Sequence, residues 1–391
     1  MDLVQALACL KPVPLVYFVY FVVSSSEIRL NSVADMGAGN PALPARGLAV
    51  HILDPLRYTG WDSLLAGQAE ASFFHTAAWA EVLKRTYGHV PVYFCQFVND
   101  RLTGLLPVME VGSPFTGRRG VSLPFSDFCP PLKAPDRNSG ELYERALEQG
   151  RQRRWRYLEC RGSAAAWPGA SPALAFYGHV VDLGWGPERL LKNLHPAMRR
   201  GIRKAEETQL RVEFSDSPKS VREYYALHCQ TRRRLGVPPQ PARFFRNIAA
   251  CVMGQGHGFV ATTRLRGRPV ASAIFFHYGR QAVYKFGASD YAVQQMRPNN
   301  LLFWESMKRL AEQGFTSLHL GRTSLANQGL RRFKLSLGAR EEQIMYYKYD
   351  FARGTFVTDV DRAEGWSNGV FRLLPLPLLR LVGACVYPHL S

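Results

Sequence analysis

Apolar positions fall along the chain in helical spacings and in short continuous runs, and the succession of the two predicts the elements. Trp79, Val82 and Leu83 fall at helical spacing and predict a helix over 76–86, followed by short apolar runs that predict strands at 92–98 and 102–109. Asn99-Asp100 is the turn between those strands. A short strand near Val121, a loop over 124–131, a helix over 140–149 and a strand over 155–160 complete the first half. A stretch at 187–253 reads as helical, punctuated by Pro187, Pro196, Pro218 and Pro241, because proline suits a first turn that has no amide hydrogen bond to lose. Strands at 259–265, 270–277 and 282–286 follow, with turns at Arg266-Gly267 and Gly279-Arg280, then a helix over 299–313 and a strand over 315–320. The order of the first half is repeated. Residues 101–106 align with 268–273 and residues 157–159 with 317–319, at offsets of 167 and 160, which predicts two similar halves.

Composition narrows the class of partner. The chain has 391 residues, 47% of them hydrophobic and 20% charged, enough for two or three packed domains. Its net charge of +18 suits polyanionic partners, nucleic acid, phosphorylated carriers or an anionic membrane face, or equally is no more than a solvated basic surface. Seven scattered cysteines, none in a CxxC pair, write neither a disulfide framework nor a zinc site and fit a reducing, cytoplasmic setting. The apolar run 13–23 contains Pro14 and is too short to span a bilayer. The Gly37–Pro41 region is loop chemistry, so 1–46 reads as an N-terminal extension, 47–184 as a first unit, 185–350 as a second unit with a basic helical insert at 187–253, and 351–391 as an apolar tail. That tail either packs across the two units or rests at a membrane interface. Gly254-x-Gly256-x-Gly258 precedes a strand and is a turn, Asp359-Val360-Asp361 is loop chemistry, and HExxH, GxSxG and Walker patterns are absent from the sequence. No metal ligand set is written here.

Several stretches carry a family resemblance. Tyr284-Lys285-Phe286-Gly287-Ala288-Ser289-Asp290, Pro298-Asn299-Asn300-Leu301-Leu302, Gly314-Phe315 leading to Gly321-Arg322, and Gly329 through Gly338 with Phe333-Lys334 resemble the FemAB-like branch of the GNAT acyltransferases. Phe74-His75-Thr76 with Trp79 matches more loosely, and 231–238 is similar to the subset found with exopolysaccharide and exosortase systems. The resemblance implies an α+β fold of tandem GNAT-like units, each a mainly antiparallel mixed sheet flanked by helices. It implies transfer of an acyl or aminoacyl group to an amine of a cell-envelope saccharide or peptide precursor, phosphorylated or lipid-linked, at the inner membrane face. No cofactor is tightly bound in that reading; the donor, aminoacyl-tRNA or acyl-CoA, is a co-substrate. The alternatives are an acetyl-CoA dependent N-acetyltransferase and a non-catalytic protein that binds RNA or a membrane surface. The long helical arm of some FemAB members is missing from the sequence, and Gln295-Met296-Arg297-Pro298-Asn299-Asn300 lacks the glycines that let a backbone close on the pyrophosphate of coenzyme A.

Acyl transfer to an amine passes through a tetrahedral oxyanion, so a cation or amide donors are needed near that oxygen. By resemblance Lys334 is the first candidate, with Phe333 beside the transferred group, while Arg322, Lys285 and Asp290 provide donor or acceptor contacts; Lys285 and Asp290 could equally pair with each other. Against a role for Lys334 stands an amphipathic helix with Leu330, Phe333 and Leu337 inward and the lysine solvated. Asn299 and Asn300 open a helix whose amides favour an anion, or merely cap it. Asp127 sits in an aromatic loop where desolvation would raise its pKa toward that of a useful base, or else serves the turn. From 185 to 235 there are twelve basic residues against six acidic ones, and Arg199, Arg203, Lys204, Arg232 and Arg234 form a candidate phosphate-binding surface, or else ordinary solvated helix faces.

Overall fold

The computed structural model describes residues 49–133, 140–162, 170–359, 361 and 367–390; the expected extension at 1–46 lies outside them. The first repeat holds β1 (His51–Leu53), helix α1 (Ala77–Tyr87), β2 (Val90–Val98), β3 (Arg101–Ser113), β4 (Gly117–Val121), β5 (Leu132–Lys133), α2 (Gly140–Gln152), β6 (Tyr157–Arg161) and β7 (Leu174–Asp182). The second holds α3 (Gly186–Asn193), α4 (Pro196–Glu207), β8 (Leu210–Ser215), α5 (Pro218–Leu235), α6 (Ala242–Cys251), β9 (Gly258–Leu265), β10 (Arg268–Tyr278), β11 (Gln281–Ser289) and α7 (Pro298–Glu312). It continues with β12 (Ser317–His319), β13 (Thr323–Ser324), α8 (Gln328–Ser336), β14 (Arg340–Asp350) and β15 (Thr355–Phe356), before a C-terminal α9 (Leu376–Val386).

The repeat is visible in backbone detail. Asn99 and Asp100 both have positive φ (49° and 62°), and so do Arg266 and Gly267 (50° and 80°), the pair of left-handed residues that a two-residue hairpin turn requires. Each hairpin then carries a register shift, at Thr103 opposite Gln96/Phe97 and at Val270 beside Pro269/Ala271. The two bulges are again 167 residues apart. In each repeat an antiparallel meander ends in a parallel pair: β4 with β6, and β11 with β12.

All the strands belong to one sheet, in the order β1-β2-β3-β4-β6-β14-β7-β12-β11-β10-β9-β8. Its centre is an exchange. β7, which follows the first meander, pairs with β12 of the second, while β14, which follows the second, pairs with β6 of the first. β7 and β14 then pair with each other from Arg340↔Val180 to Tyr346↔Leu174. The largest apolar core also crosses the repeats, joining Phe73, Trp79 and Tyr93 to Phe244, Phe245 and Phe276, with the Phe73 and Phe276 rings 4.4 Å apart. Smaller cores lie under α7 and α2.

One sequence expectation is corrected, and one choice between alternatives is decided. The stretch 187–253 is not continuously helical, because β8 adds an edge strand to β9 between α4 and α5. Its six residues alternate too briefly to stand out between helices. The apolar tail packs across both repeats: Tyr387 donates to Pro238 O and receives Arg232, while Arg119 donates to His389 O. Val370, Leu373, Leu378 and Leu381 stay exposed. Among the described residues no helix is long and apolar enough to cross a membrane.

Candidate functional site

The parallel pair β11 and β12 is held together only from Gln281↔Ser317 to Val283↔His319. Beyond that point β11 runs on while the chain turns away at Gly321, whose φ of +73° glycine adopts without strain. A side chain there would also meet Asp127 Oδ2 at 2.8 Å. The opening exposes backbone polar groups inside the protein, and charged side chains from several elements answer them. Lys334 of α8 donates to Gly321 O at 2.9 Å and Arg322 O at 3.0 Å. Lys285 of β11 lies 3.1 Å from Asp127 of the loop after β4, and Arg322 lies 4.0 Å from the same carboxylate. Tyr346 of β14 donates to Asp127 O at 2.7 Å, and Arg161 of β6 donates to Ser126 O, which fixes that loop.

These groups set one another's charge. Burial alone would push the Asp127 carboxyl up, but the charges of Lys285 and Arg322 outweigh it and hold the pKa below its usual value. Burial draws the Lys285 ammonium down despite Asp127. Lys334 is drawn down to about 8, first by burial and then by Lys285, with Asp127 opposing. It is a cation whose proton is held loosely at neutral pH. Beyond it, His179 on β7 is fully buried 3.3 Å from Glu341, and burial lowers it to about 4, so it is neutral. His319 accepts from Gly321 N through Nδ1 and faces Glu342 through Nε2 at 3.3 Å.

Alternation along β11 turns Tyr284 to the opposite side from Lys285. There a cavity of about 350 Å³ is lined by Tyr284, Gly287, Ser289, Asn299, Asn300 and Phe333, at the N-terminus of α7. Phe333 and Lys334 are consecutive on α8, so the cavity wall and the buried ammonium share one helical turn. A nucleophilic cysteine is not part of this arrangement. Cys129 lies 3.7 Å from His75 Nε2, but burial pushes its thiol well up and His75 down to about 4.

The structure brings together Lys334, Asp127, Lys285 and Arg322, and beside them Phe333, Asn299 and Asn300. It departs from sequence reasoning at several residues. Phe333 and Leu337 face the core as expected, but Leu330 is exposed and Lys334 is buried instead of solvated, because its partners are carbonyls. Asp127 is held below, not above, its usual pKa. Lys285 and Asp290 do not pair: Asp290 binds Arg268 and caps Ala292 N. The cap of α7 is Arg297, in a left-handed conformation without a side-chain bond; Asn299 reaches Ser289 Oγ and Asn300 reaches Met198 Sδ instead. Arg232 is tied to Pro238 O and Tyr387, and Arg234 stacks on Tyr291. On α4, Arg203 and Lys204 are exposed and Arg199 is half-buried, while Met198 and Ile202 are buried. Sequence reasoning missed His179, His319, Glu341, Glu342, Tyr346 and Arg161. Only β7 and β14, far apart in sequence, bring His179 opposite Glu341.

Comparison with known proteins agrees with this geometry. Residues 193–335 match the acetyltransferase (GNAT) domain family. Among solved structures, the crystal structure of FemX is similar at a TM-score of 0.60 and 13% identity, over 75% of this chain and 95% of that one. L-PGS from Bacillus licheniformis is similar at a TM-score of 0.50 and 11% identity, over 84% and 96%. No curated protein matches the chain. The chain thus has a fold of two tandem GNAT-like units, similar to that of FemX, with the GNAT domain matched over residues 193–335 of its second repeat.

Proposed function

We propose that this enzyme transfers an acyl or aminoacyl group to an amine of a cell-envelope saccharide or peptide precursor, with Lys334 stabilising the oxyanion. The observation that carries this reading is a buried ammonium at the point where β11 and β12 part, bonded to Gly321 O and Arg322 O and one residue from the cavity wall. When the acceptor nitrogen attacks the acyl carbon, negative charge collects on the carbonyl oxygen, and a fixed cation in a poorly solvated site lowers that barrier. Asp127 stays ionised and balances Lys285. Asn299, Asn300 and Phe333 line the cavity that receives the donor, and the basic face of α4 with Arg199, Arg203 and Lys204 attracts its phosphates. Similarity to FemX and L-PGS in fold supports the envelope setting.

Lys334→Ala is expected to cut turnover by about two orders of magnitude while ligand affinity stays within a few-fold. A fall in affinity with unchanged turnover would make Lys334 a donor clamp. A second reading, an acetyl-CoA dependent N-acetyltransferase, is favoured by the match of 193–335 to an acetyltransferase domain. The two differ in donor, so the melting temperature decides: aminoacylated tRNA raises it in the first reading and acetyl-CoA in the second, since a ligand bound only to the native state must stabilise it.

A further inference from the structure

Lys334 is aimed by a turn, and the turn is pinned by a histidine. An ammonium has three donors. Gly321 O and Arg322 O take two of those of Lys334, at 2.9 and 3.0 Å, and together with the bond to Cε they fix the direction of the third, the one left for a developing oxyanion. That direction is only as firm as the two carbonyls. Gly321 permits the turn at its φ of +73° but does not enforce it, because glycine reaches many other conformations at little cost.

The constraint comes from the side chain of His319, the last residue of β12. Its Nδ1 lies 2.9 Å from Gly321 N. An amide can only donate, so Nδ1 accepts and the ring proton sits on Nε2, which lies 3.3 Å from Glu342 Oε1. Glu342 is on β14, with β7 between it and β12. Its side chain crosses β7 at Gly178, its partner in the ladder, where any side chain would meet Glu342 Cγ at 2.8 Å. His319, and then Arg340, hold the Glu342 carboxyl below its usual range against burial, so an anion faces the ring proton. Phe128, from the same loop as Asp127, lies against the imidazole with the ring centroids 4.1 Å apart. Both ring nitrogens are therefore engaged, and His319 is not placed to take a proton from a substrate. We propose that His319, oriented by Glu342, is a positioning residue for Lys334: it fixes the Gly321 turn and through it the remaining donor of the ammonium. This role rests on the reading of Lys334 as the cation that meets the oxyanion.

The test is carbon NMR of the full chain with isotope-labelled lysine ε carbons, the Lys334 signal being assigned by its loss in Lys334→Arg. In the unsubstituted protein that signal should titrate at about 8. His319→Leu removes the acceptor and should lower the midpoint by about one pH unit, since the carbonyl bonds favour the charged form. His319→Asn should restore it, because an asparagine oxygen accepts from the amide two residues on. A midpoint that does not fall in His319→Leu, or that stays low in His319→Asn, overturns the proposal, since a ring that only fills space would not be replaced by a small acceptor. For the case in which His319→Leu fails to fold, nitrogen NMR of the unsubstituted protein is a second measurement: it should show the His319 proton on Nε2, and a proton on Nδ1 overturns the proposal equally. The reading of Lys334 fails separately, through unchanged turnover in Lys334→Ala, whereas these titrations report only whether His319 sets the ammonium.

Discussion

A buried lysine with a pKa near 8 makes the reaction readable by pH. If the ammonium of Lys334 carries the oxyanion, turnover should fall as pH rises through about 8, and Lys334→Arg should move that limb upward because a guanidinium keeps its proton. A rate that instead rises through the same pH would make Lys334 a base. Stability has the opposite sign. The folded state releases this proton more readily than the unfolded chain does, so between about 8 and the usual lysine value stability rises with pH. Asp127 works the other way, because its depressed pKa contributes stability above the ordinary carboxylate range that is lost as the pH falls through its folded value. Removing one member of the buried pair strands the other. Asp127→Asn should cost about 3 kcal/mol in urea unfolding, and combining it with Lys285→Met should cost less than the sum of the two. Additive costs would mean that the pair at 3.1 Å is not coupled. None of this was legible in the sequence around Asp127, since its partners lie on β11 and beyond β12, more than 150 residues away.

Elements were legible where their signals are local. The hairpins of β2–β3 and β9–β10 announce themselves through Asn99-Asp100 and Arg266-Gly267, and α7 through Pro298 followed by periodic Leu301, Leu302 and Trp304. β14 was not legible. Its opening Arg340-Glu341-Glu342-Gln343 is too polar for a central strand, and it becomes one because Glu341 and Glu342 pair with His179 and His319 at the splay. α4 shows the same limit from the other side, because its pattern fixed which face is buried but not what the basic face meets. Arg199→Glu with Arg203→Glu should weaken binding of a phosphorylated donor and flatten its dependence on salt, since fewer counterions are released on binding. An unchanged slope in titrations at two salt concentrations would leave that face merely solvated.

The duplication was visible as an offset of 167 residues, but the exchange that joins the copies was not, because strand order is a property of the whole chain. β14 lies between β6 and β7, and β7 lies between β14 and β12, so neither meander ends in a strand of its own. Separating the copies would open long edges at the middle of the sheet, where unpaired amides and apolar residues such as Phe176, Ile344 and Tyr346 invite aggregation. The molecule should therefore unfold in one step despite its tandem plan. Trp155 lies in the first repeat and Trp304 in the second, both buried, and fluorine labels on the two indoles should lose their native signals at the same urea concentration. Ile344→Pro, which removes a ladder hydrogen bond from the shared pair, should shift both signals together, by about 3 kcal/mol or more. A first repeat that survives while the Trp304 signal is lost would mean that the exchange couples the copies only weakly. The same coupling bears on the site, because Asp127 comes from one copy while Lys285, Arg322 and Lys334 come from the other. Any opening of the shared strands that releases Tyr346 also releases the Asp127 loop, so turnover in Ile344→Pro should fall in step with the native indole signals, not before them.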